Sequence, residues 1–98
     1  MQRKTKTYRT TYLLTVDGAA LTKARIRNGL IGEEVAERIG GGLNKSTVSR
    51  WEQGLIQPSP ERLFALVDLF GTNDFVRLNG RAVLTTEEIE VVRKLREG

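Results

Sequence analysis

Residues 29–54 read GLIGEEVAERIGGGLNKSTVSRWEQG, and they contain two short segments of helical periodicity separated by glycines. In residues 32–39, acidic residues occupy the first turn, where the helix dipole favours negative charge, and a single apolar stripe follows. Residues 45–53 follow a favourable N-cap, Asn44, and carry only two apolar residues, which lie one helical turn apart. The stretch therefore predicts two short helices joined by a glycine-containing turn.

The second of these helices is predicted to expose hydrogen-bonding side chains over most of its surface. Val48 and Trp51 can pack inward. The exposed positions carry cations and hydroxyls, namely Lys45, Ser46, Thr47, Ser49 and Arg50. Arginine and lysine suit guanine acceptors, and serine and threonine suit several bases. Ala36, near the centre of the first helix, is small enough to let two steeply crossing helices approach. The pattern indicates a binding helix held by a short neighbour.

Further helices are predicted on both sides of this pair from capping residues and apolar spacing. They cover about residues 19–28, 60–70, 74–78 and 86–96. A Ser-Pro start precedes the second of them, and the capping-box pattern of residues 85–88 precedes the last. Asn73 would cap the short helix, with Phe75 and Leu78 inward. A loop or short strand is expected over residues 79–84.

The segment TYRTTYLLTV, residues 7–16, is rich in threonine, tyrosine and valine, which favours a β-strand. Alternation would place four apolar or aromatic residues on one face, namely Tyr8, Tyr12, Leu14 and Val16. Because a single strand is not stable alone, it needs a partner. That partner is either residues 80–85 of the same chain or the same strand of a second copy.

Composition and charge narrow the function. The 98 residues support one small domain, and no apolar run approaches the roughly 20 residues of a membrane span. The chain has neither cysteine nor histidine, which removes thiolate and imidazole ligands and the commonest general base.

The net charge is +4, and apart from an N-terminal arm the basic and acidic residues are equal in number. The basic residues of the arm are Arg3, Lys4, Lys6 and Arg9. Such an arm favours nucleic acid, and a solvated tail is the alternative.

The stretch GLIGEEVAERIG…NKSTVSRWEQG resembles the phage repressor and Cro type of helix-turn-helix, the XRE-like family of regulators, and PSPERLFALVDLFG resembles its following helix. The resemblance covers about residues 19–78, and its most specific part is STVSRWEQG followed by a proline helix start. It implies an all-α, five-helix repressor-like bundle with a DNA-binding domain at residues 17–78. Residues 1–16 would form a basic arm or short strand, and residues 79–98 an extra C-terminal helical extension.

The resemblance also implies roles for individual residues. A recognition helix, residues 44–53, would read bases in the major groove through Lys45, Ser46, Ser49 and Arg50. The DNA backbone would be contacted by Asn44, Thr47 and Gln53, together with Arg3, Lys4, Lys6 and Arg9 of the arm. Arg25 and Glu52 match a pair that forms a structural salt bridge between the first and third helices. Two departures affect docking: position 32 is glycine where glutamine is usual, and residues 40–42 lengthen the turn with glycines.

The sequence therefore predicts a sequence-specific regulator of transcription, repressor-like or Cro-like, that binds a double-stranded DNA operator. It would act in the cytoplasm or nucleoid of a bacterial host cell, without a membrane. No catalytic residue, metal site or cofactor is expected, and a homodimer is one expected assembly. The alternative function is an antitoxin-like or protein-interaction module in which residues 1–16 or 79–98 bind a protein partner.

Overall fold

Within residues 13–82 and 85–97, which the computed structural model describes, the chain forms five helices and three short strands. The helices are α1 (Gly18–Arg27), α2 (Gly32–Ile39), α3 (Lys45–Gln53), α4 (Pro60–Phe70) and α5 (Thr86–Glu97). The strands are β1 (Leu14–Val16), β2 (Val76–Leu78) and β3 (Arg81–Ala82). Every helix in these residues is too short or too polar to span a bilayer.

Side-chain caps fix the helix starts. At α1, the carboxylate of Asp17 accepts a hydrogen bond from the Ala20 N–H at 3.0 Å. This bond and the nearby Arg77 guanidinium hold the pKa of Asp17 below its usual value, against the effect of partial burial. At α5, Thr85 and Glu88 exchange side chain to backbone bonds of 2.9 and 3.0 Å, which is a capping box. For all five helices, α1 to α5, the predicted first and last residues are confirmed to within one residue.

The backbone conformation of the turn between α2 and α3 explains why three consecutive glycines occur there. Gly40, Gly41 and Gly42 have φ angles of 77°, 66° and 79°, a region that residues with a side chain rarely adopt. The guanidinium of Arg62, in α4, donates to the carbonyl of Gly41 at 3.0 Å. The lengthened turn is therefore a defined chain path that α4 holds by a hydrogen bond.

One apolar cluster joins the helices to the sheet. Its largest buried side chains include Trp51, Phe75, Leu21, Leu63 and Leu66. Phe70 and Phe75 meet edge to face, with ring centroids 6.0 Å apart. The cluster extends from Leu14 in β1 to Val92 in α5, so both ends of the described chain contribute to the same core.

The last helix is attached to α4 by charge as well as by apolar burial. Ile89 and Val92 are buried in the cluster. The guanidinium of Arg93 lies 4.6 Å from the centroid of the Phe64 ring and donates to the Asp68 carboxylate at 3.3 Å. A cation over an aromatic face is stabilising, and α5 is therefore seated on a specific face of α4.

The strands form an antiparallel sheet in the order β1-β2-β3. In the first pair, Leu14 lies opposite Leu78. Asn79 and Gly80 join the second pair, with φ angles of 53° and 83°. Two consecutive residues of positive φ match the twist of a tight hairpin, which is why Asn-Gly favours this turn.

The short helix predicted over residues 74–78 is wrong, because residues 74 and 75 form a turn and β2 follows at residues 76–78. Phe75 is buried as predicted. Its spacing to Leu78 fits a helix face, but the alternation of Val76 and Leu78 fits a half-buried strand equally well, and the Asn-Gly turn favours the strand. The all-α class is corrected accordingly: the helical bundle carries a small three-stranded sheet.

The strand predicted over residues 7–16 is described only in part, because residues 1–12 lie outside the described residues. Residues 14–16 form β1, and their partner is β2, which neither predicted alternative named. Gln57, in the loop after α3, accepts a hydrogen bond from the Val16 N–H at 2.7 Å. The side chain thereby ties the end of the α3 region to the sheet.

The helices α1 and α3 approach so closely at Gly18 that a side chain does not fit there. A Cβ on Gly18 would fall on the carbonyl oxygen of Glu52 and lie 2.9 Å from the carbonyl oxygen of Trp51. Glycine is therefore required for the first turn of α1 to rest on the C-terminal backbone of α3.

A two-pronged ion pair, Arg25–Glu52, joins the same two helices. Arg25 Nε lies 2.7 Å from Glu52 Oε2, and its Nη2 lies 3.0 Å from Oε1. A third donor, Nη1, bonds the Leu30 carbonyl at 3.0 Å. The side chains are only 20% and 13% exposed, and the hydrogen bonds that Arg25 donates to the Glu52 carboxylate raise the pKa of Arg25. The pair is internal to the fold.

We expect Gly18→Ala to lower the free energy of unfolding by about 1–3 kcal/mol, because the added methyl forces α1 away from α3. Gly32→Ala is the matched control. Gly32 is also the first residue of its helix, but a Cβ there would meet nothing closer than 4.0 Å, so stability should hold or rise. Urea unfolding followed by circular dichroism measures both variants. Equal stability of the two would contradict the close approach.

We expect Glu52→Ala to lower stability by about 1–3 kcal/mol, because it leaves the partly buried Arg25 guanidinium without its partner. Asp74→Ala is the control: it breaks an ion pair with Arg27 whose side chains are 57% and 68% exposed, and should change stability by no more than about 0.5 kcal/mol. Thermal unfolding compares them. If Glu52→Ala unfolds at the wild-type temperature, the pair does not stabilise the fold.

Candidate nucleic-acid interface

The third helix has one buried edge and one exposed polar face. Val48 and Trp51 are each 1% exposed and hold α3 in the core. The exposed face carries five side chains that can form hydrogen bonds, namely Lys45, Ser46, Ser49, Arg50 and Gln53. A single α-helix fits the major groove of B-DNA, and these residue types bond base edges and phosphates. The helix therefore offers a continuous polar surface on a rigid support.

The start of α3 is fixed by Asn44. Its Oδ1 accepts hydrogen bonds from the Thr47 N–H at 3.0 Å and from the Thr47 hydroxyl at 3.3 Å. The Asn44 amide nitrogen keeps donors that can bond an anion. The Thr47 hydroxyl already uses its proton, and a phosphate oxygen only accepts. Asn44 is therefore better suited than Thr47 to contact a phosphate in this arrangement.

Two exposed residues one turn apart, Ser49 and Gln53, orient one another. Gln53 Nε2 donates to Ser49 Oγ at 2.7 Å. Since this bond occupies a lone pair of the serine, its hydroxyl proton is left to donate outward. Guanine N7 and O6, adenine N7 and thymine O4 are the acceptors that the major groove offers to such a donor. The bond thus biases Ser49 towards an acceptor.

The exposed face also carries two cations, Lys45 and Arg50. Neither forms an ion pair with any residue in the described part of the chain. An unpaired, exposed guanidinium can bond guanine O6 and N7 with two parallel donors, and an ammonium can bond either atom or a phosphate. These two side chains are therefore available for an external acceptor.

A shallow groove runs between the start of α2 and the exposed face of α3. Its lining includes Arg25, Gly32, Glu33, Lys45 and Arg50. Because position 32 is glycine, no side chain fills the space in front of α3. The guanidinium of Arg25 reaches the groove but is engaged by Glu52. The exposed Glu33 carboxylate could accept a hydrogen bond from the exocyclic amine of cytosine.

The sequence analysis missed two apolar side chains that line this groove. Ile31 is 58% exposed and Leu55 is 66% exposed. The only available signal was the apolar pair Leu55 and Ile56 in a loop that lacks charged residues. Gln57 and Arg62 were also missed, since nothing in their sequence context indicates that they fasten the segments at the two ends of α3.

The structure thus brings together seven of the predicted DNA-contacting residues on α3 and its N-cap, namely Asn44, Lys45, Ser46, Thr47, Ser49, Arg50 and Gln53. The four predicted contacts of the arm, Arg3, Lys4, Lys6 and Arg9, lie outside the described residues. The roles of all these residues in DNA binding stay predictions.

The comparisons with known proteins agree with this geometry. The sequence model of the helix-turn-helix family matches residues 21–74, more than half of the chain, and this range contains α2, α3 and α4. Searches of the curated proteins and of the solved structures found no significant match. The chain therefore belongs to the helix-turn-helix family of the XRE type, a family of DNA-binding regulators.

Proposed function

We propose that this chain is a transcriptional repressor or Cro-like regulator that occupies a specific operator by inserting α3 into the major groove. The observation that carries the proposal is the division of α3 into a locked edge, Val48 and Trp51, and an exposed face with two cations that have no partner in the described residues. A surface helix of any bundle exposes polar residues, but this face combines these two cations with hydroxyls on the helix that follows the turn of the matched helix-turn-helix segment, which is where a recognition helix carries its base-reading side chains.

Base reading is assigned to Lys45, Ser46, Ser49 and Arg50. Arg50 would bond guanine, and the oriented hydroxyl of Ser49 would donate to a neighbouring acceptor. Asn44 and Gln53 would donate to phosphates on either side of the groove, and so fix the register of the helix on the duplex. Thr47 would also contact a phosphate only if its hydroxyl broke the hydrogen bond that it donates to Asn44 Oδ1.

The N-terminal arm is assigned to the DNA backbone. Its four basic residues hold the whole positive excess of the chain, namely Arg3, Lys4, Lys6 and Arg9. Contacts of this kind add affinity without sequence information, except where an arm enters the minor groove and reads its width. The site of action is the cytoplasm or nucleoid of a bacterial host cell, and the regulator is expected to bind as a monomer or as a two-fold dimer.

A second candidate function is an antitoxin-like or protein-interaction module. It is favoured by two exposed apolar side chains outside the groove beside α3, Leu13 at 63% and Val91 at 57% exposure, which lie in the two terminal segments assigned to a protein partner. Selection of bound sites from random duplexes separates the candidates. A regulator enriches one sequence, whereas a module without DNA binding enriches none.

We expect Arg50→Ala to weaken binding to the selected operator by about 10- to 100-fold, the range that corresponds to the loss of one bidentate base contact. Arg38→Ala removes the same charge from an exposed position of α2 outside the groove and is the control. Fluorescence anisotropy gives the affinities, and thermal melts show that both variants fold. Wild-type affinity of Arg50→Ala would contradict the assignment of α3 as the recognition helix.

Deletion of residues 1–6 tests the arm. It removes Arg3, Lys4 and Lys6, so the slope of log affinity against log salt should flatten by about 2–3 if all three contact phosphates. The base preference at the centre of the operator should not change, because phosphate contacts carry no sequence information. Binding across a salt series measures both quantities. Identical slopes for the full and shortened chains would show that the arm does not contact phosphates, and is either a solvated tail or the binding segment for a protein partner.

A further inference from the structure

Two apolar side chains lie on the polar groove that flanks the exposed face of α3. Ile31 and Leu55 are 58% and 66% exposed, and they line the same groove as Lys45, Ser49 and Arg50. A single exposed apolar side chain is ordinary, but two that line one groove together with cations and hydroxyls suit an apolar contact with a bound ligand. Their neighbours identify the chemistry of that ligand, because cations and hydroxyls bind an anionic, acceptor-rich surface.

The position of Leu55 is set by the end of α3. Gly54, with φ of 77°, stops the helix, and its N–H bonds the Trp51 carbonyl at 3.2 Å. The Leu55 N–H then bonds the Arg50 carbonyl at 2.9 Å. These two bonds form a Schellman motif, in which the residue at the Leu55 position usually packs its side chain back onto the helix. Here the side chain lines the same groove as Arg50 and stays exposed.

Ile31 occupies an unusual position at the start of α2. It is the N-cap, where serine, threonine, aspartate and asparagine are preferred because their oxygens bond the first free N–H groups. Isoleucine has no such oxygen, although Glu34 does accept a hydrogen bond from the Ile31 N–H at 2.9 Å. The residue is thus fixed in backbone position without contributing a side-chain cap.

Gly32 leaves the space beside Ile31 open. A Cβ there would lie 4.0 Å from both Lys45 Cβ and Val48 Cγ1, so a side chain would fit without strain. The missing side chain therefore keeps the groove accessible next to the apolar residue. A flat group of small size could enter and contact Ile31 together with the exposed face of α3.

We propose that Ile31 and Leu55 determine specificity by contacting thymine C5-methyl groups at the edges of the operator half-site, an inference that rests on the DNA-binding function proposed above. The thymine methyl is the apolar group that the major groove offers to a side chain, and phosphates offer none. Lys45, Ser49 and Arg50 bond the polar edges between them, and the two apolar side chains exclude water at the margins.

The test uses the operator obtained by selection from random duplexes. Each thymine is replaced in turn by deoxyuridine, which removes the methyl and leaves every hydrogen-bonding group in place. Affinities are measured for the wild-type chain, for Leu55→Ala and Ile31→Ala, and for Ile26→Ala. Ile26 is the matched control, because it is an isoleucine of similar exposure, 62%, on α1 and outside the groove.

The wild-type chain and Ile26→Ala should lose about 4-fold in affinity at each contacted thymine, the change that corresponds to about 0.8 kcal/mol per buried carbon group. Leu55→Ala and Ile31→Ala should each become insensitive at one of these positions. If no replacement affects the wild-type chain, the inference is wrong and the proposed function stands. If both groove variants keep the wild-type sensitivity, the inference is wrong, because residues other than Ile31 and Leu55 contact the methyls. If selection enriches no sequence, both the function and the inference fail.

Discussion

The structure depends on holding α3 in place. This helix of nine residues is mostly polar and has only two buried side chains. Apolar burial contributes about 25 cal/mol per Å² of surface removed from water, so Val48 and Trp51 alone hold α3 with limited stability. Widening the apolar stripe would add stability but would remove polar side chains from the exposed face. The requirement for a free polar face thus limits the core contacts of this helix, and its orientation has to be supported from its ends.

Each end of α3 receives that support from a different element. At the C-terminal end, the first turn of α1 rests on the backbone at Gly18, and the Arg25–Glu52 pair prevents the two helices from rotating apart. Beyond it, Gln57 ties the following loop to β1. At the N-terminal end, Arg62 holds the glycine turn. These contacts consist of a close backbone approach, an ion pair and hydrogen bonds to backbone groups. They therefore fix the orientation of the helix without covering its exposed face.

Much of this arrangement was predictable from local signals. Capping residues and periodicity were sufficient to predict the helices, because each cap satisfies a backbone group within a few residues. The prediction fails at residues 74–78 because apolar residues there fit both a helical and a strand periodicity, and the Asn79-Gly80 turn is the local signal that favours the strand. The support of α3 by Gly18 and Gln57 could not be predicted, since it depends on distances between segments that are remote in sequence. The residues on the polar face of α3 could be identified from helical spacing alone. The positions of Ile31 and Leu55 on the groove could not, because the groove forms between separate segments of the chain.

The central claim is that the exposed face of α3, between the two apolar side chains of the groove, is the surface that meets DNA. A titration of isotopically labelled protein with its selected duplex, followed by backbone amide chemical shifts, tests this directly. The largest changes should fall in residues 44–55 and at the start of α2, with α5 unaffected. Changes concentrated in α5 or in the sheet, with α3 unchanged, would contradict it.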